Sequence, residues 1–232
     1  MFREKSEIQK LGIIICSIFI IGALIFGIVA RATYSRMSQN ESNINHAAVT
    51  FDRDTAEYTD YEIQNLSFDL LKQDLDSYDY IFAGKILNTE YCFNCIKYTV
   101  KITQSIKGDE KTGNTVILYK WGGIDKFGDQ LIYDSFDGTM PLWSNKEYLL
   151  FSQKREYDPL YQETLDYNEY SLGLKNYLAV AFVINETQKD YIDFSTTMEY
   201  EDLKEIYYTC FSQEALNNVN KVAKQITDYY ME

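Results

Sequence analysis

Apolar residues run without a charge from Leu11 to Ala30, LGIIICSIFIIGALIFGIVA, and no later stretch of the chain repeats such a block. Twenty uncharged residues are about what an α-helix needs to cross the hydrocarbon core of a bilayer. The run predicts a transmembrane anchor over 11–30 behind a cytoplasmic N-terminus at 1–10. It is longer than the roughly 7–15 apolar residues of a removable signal, while Ala30-Arg31-Ala32 offers the alternative of cleavage near Ala32 and secretion. Arg3, Lys5 and Lys10 precede the run, and Arg31 and Arg36 follow it. A long C-terminal domain crosses largely regardless of its charge, so a single-pass protein of the cell membrane with its main domain extracytoplasmic is expected.

Beyond the run the periodicity changes several times. Residues 31–60 are polar, lack a sustained period, contain the only histidine, His46, and read as a stalk before a domain at 61–232. Phe68, Leu71, Leu75 and Tyr78 recur at helical spacing, with Asp69 in the first turn where the helix dipole favours it. Tyr80–Leu87 begins a β-run. Ile96, Tyr98, Val100 and Ile102 then alternate with Lys97, Thr99, Lys101 and Thr103, the period-two pattern of a sheet with one wet face. Further strands are predicted at 116–121, 130–133, 147–154 and 177–184, with an acidic loop at 155–169. Their turn-rich connections favour an antiparallel sheet or barrel over βαβ units. The tail returns to helix: Leu203, Ile206 and Tyr207 mark one segment. Ser212 is placed to cap a second, whose stripe is Leu216, Val219, Ala223, Ile226 and Tyr230.

Composition narrows the partners. The chain carries a net charge of −13, and residues 33–232 hold 18 basic against 33 acidic side chains. Such a field repels nucleic acid and anionic headgroups and suits a cationic peptide, a divalent ion or solubility. Twenty-one Tyr and 13 Phe are more than a disordered chain carries.

The order helix, SYDYIFAGKIL, YTVKITQSIKGD, TVILYKWGG and MPLWSNKEYLLF resembles secreted bacterial domains related to the netrin/TIMP-like module. The matching residues are Asp79, Ile81, Gly84 and Lys85, then Lys107 and Gly108, then Tyr148, Leu149, Leu150 and Phe151, with Asn145 where a glycine is usual. The resemblance spans about residues 66–185. It implies a β-rich α+β fold: an OB-like antiparallel Greek-key barrel of five to six strands, with a preceding short helix and C-terminal helices. The protease-inhibiting mechanism of the animal relatives needs an N-terminal cysteine on the metal, which this chain does not offer, and OB-like barrels host many unrelated tasks.

The cysteines, carboxylates and aromatic residues carry the candidate chemistry. Cys92 and Cys95 lie between two predicted strands, with no helix whose N-terminal dipole would activate a thiol. They are expected to form a structural disulfide, within the hairpin or to Cys210; a redox role is the competing expectation. Zinc would need two further ligands, so no cofactor is expected. A lone histidine disfavours Ser-His and Cys-His devices. Asp125, Asp129 and Asp134 are the best carboxylate cluster, for a hydrolase or for a hard cation such as calcium in an adhesion module. Trp121, Tyr133, Trp143, Tyr157, Tyr161, Tyr167 and Tyr170 fall in or near loops and form a candidate binding face. The expected function is a non-catalytic, membrane-anchored module binding a protein, peptide or cell-wall component. An envelope enzyme, either a thiol-disulfide oxidoreductase or a carboxylate-based hydrolase, is the alternative.

Overall fold

The computed structural model describes residues 15–29, 44, 48–49, 53–92, 95–121, 123–127, 130–134, 140–154, 169–172, 181–193 and 198–232. The chain divides into two compact units, Met1–Ser38 and Gln39–Glu232. In the first, helix α1 covers residues 15–29, and Ile18, Phe19, Leu24 and Phe26 are all exposed. Among the described residues no helix is long and apolar enough to cross a membrane. This overturns the single-pass anchor at 11–30, the membrane as a partner through it, and the cell-membrane localisation that followed. An uncharged run measures hydrophobicity, a property of composition that does not by itself place a helix across a membrane.

The second unit is α+β with two sheets, rather than the single OB-like antiparallel Greek-key barrel expected. Its strands are β1 (Ala48–Val49), β2 (Tyr80–Cys92), β3 (Cys95–Lys107), β4 (Thr115–Trp121), β5 (Gly123–Phe127), β6 (Gln130–Asp134), β7 (Glu147–Lys154), β8 (Glu169–Leu172), β9 (Ala181–Val183) and β10 (Met198–Glu199). One sheet runs β10-β1-β6-β5; the other runs β2-β3-β4-β8-β7-β9, with β2 also paired to β7. Each sheet contains a parallel pair, β1 with β6 and β4 with β8. The physical reason the expectation failed is that β1, β8 and β10 are two to four residues long. Such strands carry too few alternations to be seen, and their partners lie far away in sequence.

The long strands follow their patterns. Ile96, Tyr98, Val100 and Ile102 are at most 1% exposed, because alternate positions of β3 face the core. Helix α2 spans Arg53–Gln64, within the stretch read as a stalk and beyond it; α3 spans Phe68–Leu75, and α4 spans Gln213–Met231. The Ser67 hydroxyl caps α3 by accepting from Leu70 N, and the Ser212 hydroxyl caps α4 by accepting from Ala215 N at 3.2 Å. Lys107 closes the other end of α3, its Nζ donating to the carbonyls of Asp76 at 2.8 Å and Tyr78 at 2.6 Å.

Helices α2 and α4 satisfy each other's ends. The Asp60 carboxylate accepts from Phe211 N at 2.8 Å, just before α4. The Asn218 amide donates to the carbonyls of Ile63, Gln64 and Leu66 at 2.8, 3.2 and 2.8 Å, at the end of α2 and just beyond it, where the Ile63 carbonyl also accepts from Leu66 N at 3.2 Å. Asn218→Ala should therefore cost about 1–2 kcal/mol, read as a lower urea midpoint with an unchanged slope. An unchanged midpoint would mean that water serves these carbonyls equally well.

Candidate functional site

Three residues other than glycine take a left-handed backbone among the described residues: Asn145 (φ 67°), Asn185 (φ 61°) and Glu205 (φ 70°). Asparagine tolerates this region; glutamate has no such excuse and stores about 1–2 kcal/mol. Such residues gather where a surface is held for function. Here Asn145 precedes Lys146, Asn185 precedes Glu186, and Glu205 lies two residues before Tyr207. These three side chains meet. Lys146 Nζ donates to Glu186 Oε1 at 2.8 Å and Oε2 at 2.6 Å, and the Tyr207 hydroxyl donates to Glu186 Oε2.

The scaffold explains why they converge. Lys146 enters β7, and Ile86 N donates to its carbonyl at 3.0 Å, tying this end of β7 to β2. Glu186 follows β9, whose exit is fixed by Ile184 N donating to Glu147 O at 2.9 Å. Tyr207 follows the 3₁₀ turn Tyr200–Leu203 and packs on Tyr148, with ring centroids 6.5 Å apart.

Gln188 lies beneath them, only 2% exposed. Its Oε1 accepts from the backbone N–H groups of Tyr207 and Tyr208, both at 2.7 Å. Its Nε2 donates to Asp190 O at 2.8 Å, Tyr208 O at 3.1 Å and Cys210 Sγ at 3.2 Å. Asn220 of α4 grips the Gln188 backbone from the other side, accepting from its N–H at 3.2 Å and donating to its carbonyl at 2.8 Å. The loop 185–190 and the segment 204–210 are thereby locked together.

Two clefts flank the tip of that loop. One, of about 400 Å³, lies between residues 186–190 and residues 204–207. The other, of about 220 Å³, lies between the loop and α4, with Thr187, Asn220 and Thr227 in its walls. Glu186 and Thr187 line both.

The electrostatics hold each group of the cluster in one state. Hydrogen bonds from Lys146 and Tyr207 push the Glu186 carboxyl below its ordinary 4.5. The bond to Glu186 pushes the Lys146 amine above 10.5. Burial, then the bond to Glu186, raises the Tyr207 hydroxyl to about 12. Glu186 thus adds stability that is complete above about pH 4.5 and lost as pH falls through its depressed value; Lys146 adds stability present below about pH 10.5 and lost as pH rises through its raised value. The side chains are 29% and 37% exposed, so screening limits the pair to about 0.5–1 kcal/mol. Glu186→Gln should lower stability by that amount at pH 7 and by progressively less as pH falls below about 4.5, measured by urea denaturation across that range.

The residues singled out by sequence fall elsewhere. Trp143 is 5% exposed, its Nε1 donating to Ile206 O at 3.0 Å and its ring packed on Tyr200, so it belongs to the core. Tyr157, Tyr161, Tyr167 and Asp129 lie outside the described residues, as do the side chains of Trp121, Tyr133, Tyr170, Asp125 and Asp134. In the backbone register Asp125 stands opposite Ile132 and Asp134 opposite Gly123. Among the described residues no group of His, Cys, Asp and Glu could hold a metal ion.

Cys92 and Cys95 are cross-strand partners at the tip of the β2–β3 hairpin. No disulfide occurs among the described residues, which corrects the expected brace. Cys210 is buried in the Gln188 network, and burial raises its thiol to about 12, so it neither reaches out to the hairpin nor supplies a thiolate. The Lys146–Glu186–Tyr207 cluster and Gln188 are not legible in the sequence, because they are scattered over some sixty residues without a motif. The available signal was the pair of asparagines bounding strands at 145 and 185, positions suited to a left-handed turn.

Compared with known proteins, this chain matches no family model and no curated protein sequence.

Proposed function

We propose that this protein is a non-catalytic binding module whose site is the 400 Å³ cleft beside Glu186 and Tyr207, and that its ligand is a cationic segment of a peptide or protein. The observation that carries this is the protonation of the cluster. A general acid or base works best with a pKa near the operating pH. Each of Glu186, Lys146 and Tyr207 is moved away from neutrality, which suits a fixed-charge surface and does not suit proton transfer.

The sign of the ligand follows from what is left over. Glu186 is neutralised by Lys146, and Lys204 is engaged by Glu201 at 3.3 Å. Asp190 and Glu205 then face Lys189 alone in the cleft, a net negative charge on a chain that is itself acidic. Glu205 lines this cleft on a backbone held in the left-handed region.

Calorimetric titration of the full chain with a panel of lysine- and arginine-containing peptides tests this. Saturable binding that weakens with salt and is lost in Glu205→Lys is expected. If no peptide binds, and the chain instead hydrolyses a glycoside or ester in a manner dependent on Glu186, the protein is an enzyme and the proposal is wrong.

A further inference from the structure

We infer that the two clefts act together, as adjacent subsites for an extended peptide that crosses the Glu186–Thr187 ridge. This rests on the binding reading above and extends it to a second site of different chemistry. The two clefts share the ridge as a common wall, so an occupant of one meets the other by passing over Thr187. The ridge is rigid. Its base is Gln188, fixed by bonds to residues 190, 207, 208 and 210 on one side and by Asn220 on the other.

The second cleft differs from the first in its charge balance. Its lysine, Lys224, is paired with Asp228 at 2.8 and 3.0 Å, its Glu186 is paired with Lys146, and its remaining polar walls include neutral amides and hydroxyls: Asn185, Thr187, Asn220 and Thr227. Val183, Tyr208 and Ala223 are buried and form its floor. Such a lining takes a neutral hydrogen-bonding side chain with an apolar stem, as glutamine or asparagine has. In an extended chain, residues two apart project to the same side about 7 Å from each other. The ligand class that meets both linings is a peptide carrying a basic residue and an amide residue on the same side, and two positions is the shortest spacing that puts them there in an extended chain.

The test uses the full chain, ¹⁵N-labelled, titrated with N-acetyl-Lys-Gly-Gln-amide and, separately, with N-acetyl-lysinamide, with backbone amide shifts followed. The tripeptide is expected to move the amides of Glu205 and Tyr207 together with those of Asn220 and Thr227, and to bind about tenfold more tightly than the single residue. Thr227→Val, which keeps the shape and removes a hydrogen-bonding group, should bring the two affinities together. If the tripeptide binds no more tightly and moves only the first pair, the second subsite is overturned while the cationic cleft stands. If neither probe moves either pair, the binding reading itself falls.

Discussion

Gln188→Leu should lower the stability of the second unit by about 3 kcal/mol, a large share of the roughly 5–15 kcal/mol that holds a domain together. The leucine fills a similar volume but leaves two backbone donors, Tyr207 N and Tyr208 N, without their acceptor. It also strips donors from the carbonyls of Asp190 and Tyr208. Tyr208 is 1% exposed, so water cannot replace what is lost. The urea midpoint reports the loss, and because the pocket walls part, the peptide binding proposed for the first cleft should vanish in the same variant.

Gln188→Glu separates the two halves of the side chain's role. A carboxylate still accepts from both amides but donates to neither carbonyl, and as a buried charge its pKa is raised above the unfolded value. The folded state then holds its proton more tightly than the unfolded state, so this variant should be less destabilised at pH 5 than at pH 8. A loss of under about 1 kcal/mol for the leucine variant would show that Gln188 is not what holds the two segments together.

Gly84→Ala is the second large effect, at about 2 kcal/mol. A Cβ at this position would lie 2.5 Å from Val100 Cγ1, 3.4 Å from Lys101 O and 3.6 Å from Leu150 Cδ1. Val100 is fully buried and, being β-branched, is restricted at χ1, so it yields to a new methyl group only at a cost. Gly84 sits between β3 and β7, paired with Ile102 on one side and Tyr148 on the other, so strain there is felt by both neighbouring strands. Combining Gly84→Ala with Val100→Ala should be no less stable than Val100→Ala alone, because the clash is gone. Additive losses in thermal melts of the double variant would show that the backbone, and not Val100, is what resists the new methyl group.

Legibility from sequence depended on the length over which a pattern repeats. The α4 stripe of Leu216, Val219, Ala223 and Ile226 is buried as its spacing required, since one side of a nineteen-residue helix must face the core. The alternation in β3 survived for the same reason. Trp143 shows the opposite case: in sequence it is an aromatic residue in a polar loop, yet the folded chain brings Tyr200 and the Ile206 carbonyl to it from some sixty residues away. Nothing local to residues 140–146 announces those partners.

Residue order alone therefore determined the acidic balance, the capped helices α3 and α4, and the long strands β2, β3, β4 and β7, because each is set by neighbours within one or two turns or pleats. Only the tertiary structure decided that the strands form two sheets with parallel pairs, that the thiol of Cys210 is sequestered, and that Lys146, Glu186 and Tyr207 meet over Gln188. Those outcomes depend on contacts between segments distant along the chain, whose free energies come from burial and hydrogen-bond satisfaction that exist only once the segments have met.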